Sequence, residues 1–182
     1  GAIQILSMML FFPFMRKVLT TTQVFFTGMT MAITGYATLL VLMICNINNI
    51  LVLFIPGFLV FTAFGLLTIL TTVFLANTVD YGELKNSRRD ESVIFSMQTF
   101  VVKLASGVSA LIASICLSVF NISDNTDNVV ASASFSSVLG LRMTMTLLPI
   151  VGFVIALLVF KKKFILTEAK VNSITMELKE RK

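Results

Sequence analysis

An all-α membrane protein is the fold class this sequence predicts, and three observations predict it. Hydrophobic residues fill 57% of the 182 positions and charged residues only 13%, for a mean hydropathy of +0.96. A soluble domain of that length could not hide so much apolar surface in one core. The apolar residues also fall into runs near the roughly 20 residues a helix needs to cross a bilayer. Finally, of the fourteen Lys and Arg residues all but Lys103 and Arg142 lie in short connections or the C-terminal tail, as topology determinants do.

The same composition excludes several function classes. A net charge of +5 placed in connections points to membrane topology and not to nucleic acid. Histidine is absent, which removes the commonest general base and the commonest metal ligand. Cys45 and Cys116 sit in apolar runs without a CxxC spacing and suggest neither disulfide nor metal. The expectation is a protein that is not an enzyme and holds no cofactor or metal of its own.

Residues 1–15, GAIQILSMMLFFPFM, read as the end of a membrane helix that stops at Arg16-Lys17, because they are too few to span. Gly1 is not an initiator methionine, and neither an n-region nor a cleavage site marks a signal peptide. The expectation is a chain cut inside a helix, the C-terminal part of something longer. A second span is predicted at about 24–45, where Gly28 and Gly35 permit close helix approach. The uncharged NINN connection leads to a third span at about 50–77 containing Pro56, a kink of the kind transporters use or ordinary bundle packing. A charged hairpin occupies about 78–91. The fourth span, about 92–120, opens at Ser92 as a plausible N-cap. A polar connection with Asp124, Asp127 and a chance-level sequon at Asn121 follows. The fifth span, about 141–160, contains Pro149 and ends in Lys161-Lys162-Lys163. The tail, 164–182, reads as a short surface helix capped by Thr167. Leu166 and Val171 form its staple, and Val171, Ile174 and Leu178 line one face. Residues 1–163 thus form a transmembrane region and 164–182 a cytoplasmic tail. The first and third connections and the end of the last span carry the cations, so these and the C-terminus are expected in the cytoplasm.

Two places could carry chemistry. Lys103 lies eleven residues beyond Ser92, about 16 Å deep at ~1.5 Å per residue. Holding an ammonium there costs at least roughly 2.5–3.5 kcal/mol unless it faces water or a carboxylate. Ser96, Thr99, Lys103, Gly107, Ala110 and Ser114 follow one helical face, which predicts a polar cavity. Ile94, Val101, Val108 and Ile112 form the opposite face, for lipid or other helices. The alternative is a lysine paired within the bundle for assembly. No acidic residue in another span here could partner it. The second place is the hairpin, where Asp80, Glu83, Asp90 and Glu91 oppose Lys85, Arg88 and Arg89. Asp80 is read at a helix C-terminus, where the macrodipole disfavours an anion. A solvated turn and a conformational lock built from ion pairs both fit. A catalytic role does not, for lack of any metal constellation, nucleophile–base pair or phosphate-binding glycine loop.

VDYGE, then Arg89-Asp90-Glu91-Ser92, then SxQTxVVK ending at Lys103 closely resemble the glycoside–pentoside–hexuronide:cation symporter family, of the melibiose-permease-like type. LGLRM…LLP in the last span and the LTE…I…EL tail are similar to it too. The resemblance implies a major facilitator fold of twelve helices in two halves, of which this chain supplies part of the eighth helix and helices nine to twelve. It also implies sugar transport coupled to a cation (Na+, H+ or Li+) as co-substrate. Lys103, Thr99 and Gln98 match residues of the substrate and cation cavity, and Asp80, Arg89 and Glu91 match the salt bridges of a cytoplasmic gate. The expected partners are a sugar or glycoside, the cation, the lipid of a bacterial inner membrane and a missing N-terminal half that would supply the acids for Lys103. Two positions depart from the pattern: Asn77 stands where an aspartate is expected, and Thr68 where the sugar site has a tryptophan. The alternative is a stand-alone helical membrane subunit with a structural or regulatory role.

Overall fold

A computed structural model describes residues 2–45, 49–120 and 135–180, and every regular element among them is a helix. Helix α1 (Ala2–Leu6) continues through a π-helical turn (Ser7–Phe11) into α2 (Phe12–Arg16), with Pro13 in the first turn of α2. The long helices are α3 (Thr21–Ile44), α4 (Ile50–Asn86), α5 (Glu91–Val119) and α6 (Phe135–Lys163), and α7 (Glu168–Glu180) closes the chain. Among the described residues four helices are long and apolar enough to cross a membrane. The sequon at Asn121, Asp124, Asp127 and most of the NINN connection lie outside the described residues.

Local chemistry explains the helix starts. Thr20 and Gln23 form a reciprocal capping box: the Thr20 Oγ1 accepts from the Gln23 amide at 3.3 Å and the Gln23 Oε1 from the Thr20 amide at 2.9 Å. At α4 the Asn49 Oδ1 accepts from the Leu51 amide at 3.0 Å. Helix α5 starts differently from the expectation. Its N-cap is Asp90, whose side chain makes no cap bond, and Ser92 is already helical.

The charged hairpin is shorter than its sequence suggests. Helix α4 runs unbroken for 37 residues to Asn86, so only 87–90 form the turn, and Asp80 lies well inside the helix instead of at its end. Hydropathy marks where the apolar stretch ends, but Glu83 and Lys85 are good helix formers and carry the backbone on. At ~1.5 Å per residue α4 is about 55 Å long against a hydrocarbon core of about 30 Å, so its charged end stands clear of the lipid. Ser87 ends it in the left-handed conformation, φ 55°, with its amide donating to the Glu83 carbonyl at 2.9 Å. Helix α6 likewise begins before the predicted 141.

Helix α3 packs against both α4 and α6, α1 and the π-helical turn pack on α4, and α2 touches the start of α3. The core is Val24, Leu66 and Leu70, flanked by Phe12, Met15, Leu19, Phe25, Met31 and Phe74. Gly28 meets Leu66 and Leu67, and Gly35 lies under Val60, Leu59 and the Pro56 carbonyl, which is the close approach that small residues permit. Aromatic rings join α3, α4 and α6 at two levels. Near the charged end Phe160 sits 4.1 Å from Phe25, 5.5 Å from Phe74 and 4.2 Å from Phe164. Farther along, Tyr36, Phe64 and Phe153 form a triangle with centroids 6.0–6.5 Å apart.

Helix α5 stands apart, with no fully buried residue. Its contact with α6 lies at its far end, where Gly140 lets the Phe120 ring approach. The tail helix α7 docks on α4: Val171, Ile174 and Leu178 are its covered apolar residues, with Ile174 buried. Arg16 donates to Glu168 at 2.7 Å, and the Lys170 ammonium stands over the Tyr81 ring at 5.6 Å.

Candidate functional site

The turn at 87–90 folds α5 back beside α4 and sets Arg89 among three carboxylates. Its Nη1 donates to Glu83 Oε2 at 2.8 Å and to Asp80 Oδ1 at 3.4 Å, and its Nε donates to Glu91 Oε2 at 3.1 Å. Arg88 pairs separately with Asp90 at 2.9 Å. The Glu83 and Glu91 carboxylates hold the Arg89 guanidinium above its ordinary pKa. Asp80, Arg89 and Glu91, singled out from sequence, are therefore in one cluster. Glu83 is the member they lacked, and it is both the nearest to Arg89 and the least exposed, at 18% against 34% for Asp80 and 54% for Glu91. Its signal was available: Asp80 and Glu83 are three apart, hence on one helical face.

Because Arg89 bridges Asp80 and Glu91, distances along α4 and α5 can be counted from a shared level. Lys103 is twelve residues from Glu91, and Thr68 is twelve from Asp80. Both therefore stand about 18 Å from the ion cluster, with Thr72 and Thr99 about 12 Å from it. Thr68 has a polar neighbour on the first helix, where Gln4 Nε2 approaches its Oγ1 to 3.5 Å. Gln4 and Thr68 were not grouped from sequence because 64 positions separate them.

The face of α5 bearing Ser96, Thr99, Lys103, Gly107, Ala110 and Ser114 is exposed throughout. Ile94 and Ile112 on the other side are half-buried, whereas Val101 and Val108 remain exposed at 55% and 48%. Among the described residues no carboxylate pairs with Lys103. Thr99 Oγ1 donates to the Phe95 carbonyl at 3.0 Å, and Ser96 Oγ to Val93 at 2.9 Å. These hydroxyls have spent their protons on the helix and present acceptor lone pairs outward, beside the donors of the Lys103 ammonium. Gln98 is half-buried, and five residues from Lys103 it points roughly 140° around the helix. The structure therefore groups Thr99 with Lys103 and sets Gln98 apart. Among the described residues no three His, Cys, Asp or Glu side chains are placed to hold a metal ion together, and the three carboxylates of the cluster share the Arg89 guanidinium instead.

The family described as "MFS/sugar transport protein" matches residues 1–165. A lactose permease of Lactobacillus helveticus is 26% identical over 171 residues, covering 93% of this chain and 25% of its own length. An isoprimeverose transporter of Lactiplantibacillus pentosus is 33% identical over 119 residues, 64% of this chain and 23% of its own. The chain spans about a quarter of the length of both relatives, and both are transporters, not enzymes. No solved structure matches. With an all-helical bundle carrying four membrane-length helices, an ion cluster at one end and a match over nearly all its length, this chain belongs to the MFS/sugar transport protein family.

Proposed function

We propose that this chain is the C-terminal part of a cation-coupled sugar symporter that works by alternating access in a bacterial inner membrane, with its C-terminus in the cytoplasm. The observation that carries the reading is the uncovered polar face of α5, with Lys103 at its centre and no acidic partner among the described residues. A cation held about 18 Å along an apolar helix is sustained only by water, a ligand or an anion. A missing N-terminal half supplies the facing wall and the acids. Sugar hydroxyls then bridge the two walls by donating to Thr99 and accepting from Lys103, with Gln98 at the cavity edge and Thr68 and Gln4 level with the lysine. The relatives' names, lactose permease and isoprimeverose transporter, favour a small glycoside as substrate. Asp80, Arg89, Glu91 and Glu83 act as a gate, whose carboxylates outnumber the guanidinium they share and so can take basic partners from the other half. The coupling cation is Na+, H+ or Li+, and movement of one half against the other exposes the site alternately.

In the full-length protein Lys103→Ala is expected to abolish cation-coupled uptake while membrane insertion is unchanged. Uptake at the wild-type rate by the inserted variant would overturn the site. The reading of the chain as part of a longer one is tested by the intact mass of the native polypeptide. A value well above twice 20.0 kDa is expected, and a value near 20.0 kDa would favour a stand-alone subunit.

A further inference from the structure

Arg16-Lys17 and Lys161–Lys163 belong to connections remote in sequence, and each group alone reads as a topology signal. The fold brings them to one rim. The Arg16–Glu168 bridge at 2.7 Å ties the end of α2 to the segment that follows α6. The tilted contact of Phe160 with Phe25, 4.1 Å between ring centroids, holds the last turn of α6 beside the first turns of α3. All five cations are exposed. Among the described residues Glu168 is the one carboxylate paired with any of them, so five positive charges less one negative leave the rim at +4. Apolar side chains beside the cations are also open: Phe14 at 71%, Val18 at 81% and Ile165 at 58%.

We propose that this rim is a docking site for anionic phospholipid, with Lys17 and Lys161–Lys163 binding the headgroup phosphates and Phe14, Val18 and Ile165 resting on the upper acyl chains. Cations gathered at the ends of apolar helices stand at headgroup height, where each adds to attraction for anionic lipid. A soluble anion would use the charges but leave the three apolar side chains in water. The positive-inside rule counts cations connection by connection. It needs no shared surface, and the shared surface is what the Arg16–Glu168 bridge creates.

The test uses the full-length transporter extracted from vesicles of mixed phosphatidylglycerol and phosphatidylcholine, with retained lipid read by native mass spectrometry. Wild type is expected to keep phosphatidylglycerol in preference to phosphatidylcholine. Replacing Lys161, Lys162 and Lys163 together by Gln is expected to weaken that retention on the order of a hundredfold, and replacing them by Arg to preserve it. Should the Gln variant fail to insert, the wild type still decides, because retention must fall as salt is raised. The proposal is overturned if both lipids are kept equally, if the inserted Gln variant retains as wild type does, if salt has no effect, or if inorganic phosphate displaces the lipid.

Discussion

Gly35 is where the packing of α3 on α4 can be tested most directly. A Cβ built there would lie 2.6 Å from Val60 Cγ2, 3.1 Å from Leu59 Cδ2 and 3.3 Å from the Pro56 carbonyl oxygen, where ordinary contact starts at 3.4 Å. The worst of these is 0.8 Å too short. Val60 is 6% exposed and β-branched, so it has little freedom to turn aside, and the Pro56 oxygen is backbone. The helices must therefore part by most of an ångström in Gly35→Ala. A gap of that size forfeits a quarter to a half of the attraction at each facing atom pair. In a bilayer close packing is the main force holding helices together. The expected loss is about 1–3 kcal/mol, the usual range for overpacking. Thermal unfolding of the full protein in detergent micelles measures it. Gly57→Ala is the control, because nothing lies within 4 Å of its Cβ, and it should gain roughly 0.5–1 kcal/mol from helix propensity. Val60→Ala removes the blocking methyl, so the double variant should be less damaged than the single losses add to. A Gly35→Ala protein as stable as wild type, or strict additivity with Val60→Ala, would refute the contact.

Other consequences are equally direct. Ser87 carries the left-handed backbone that ends α4, so Ser87→Gly should stabilise the turn by roughly 0.5–1 kcal/mol, read as slower amide exchange around 86–91. A faster exchange would refute it. Glu83→Gln should loosen the same turn more than Glu91→Gln, since Glu83 holds Arg89 at 2.8 Å with the lower exposure. Equal effects in the same exchange measurement would count against the ranking. The Arg16 guanidinium holds the Glu168 carboxyl below the usual carboxylate range, helped by the Thr21 hydroxyl at 3.2 Å. A lowered pKa in the folded state means that the bridge stabilises docking of α7 above the ordinary carboxylate pKa and is lost as pH falls through the lowered one. Both side chains are 35% exposed, so the effect is at most about 1 kcal/mol. Proteolysis of the tail should accelerate in acid for wild type and show no such pH dependence in Glu168→Gln.

Much of the architecture could be read from composition and periodicity, because bilayer helices obey few rules and obey them strongly. Gly28 and Gly35 announced close packing, and Val171, Ile174 and Leu178 announced the covered face of the tail. The change from apolar to charged residues, however, placed Asp80 at a helix end when α4 continues to Asn86, since charge signals where lipid stops and not where a helix stops. The Arg16–Glu168 bridge spans 152 positions, and no local pattern pairs residues that far apart. The two aromatic triangles were invisible for the same reason: seventeen phenylalanines in an apolar chain give no hint of which rings meet. Lys103 stood out because a charge at that depth is rare. No acid among the described residues pairs with it.

The two ring triangles lock α3, α4 and α6 together like a braced tripod, and α5 has no leg in it. Tilting α3 against α4 would have to separate interlocked rings at two heights at once. Among the described residues, tilting α5 disturbs the turn at 87–90, the Phe120–Gly140 contact and the half-buried side chains Ile94, Phe95, Ile112 and Cys116. Among the described residues the bracing is therefore uneven, and the element that carries the lysine is the long helix outside it.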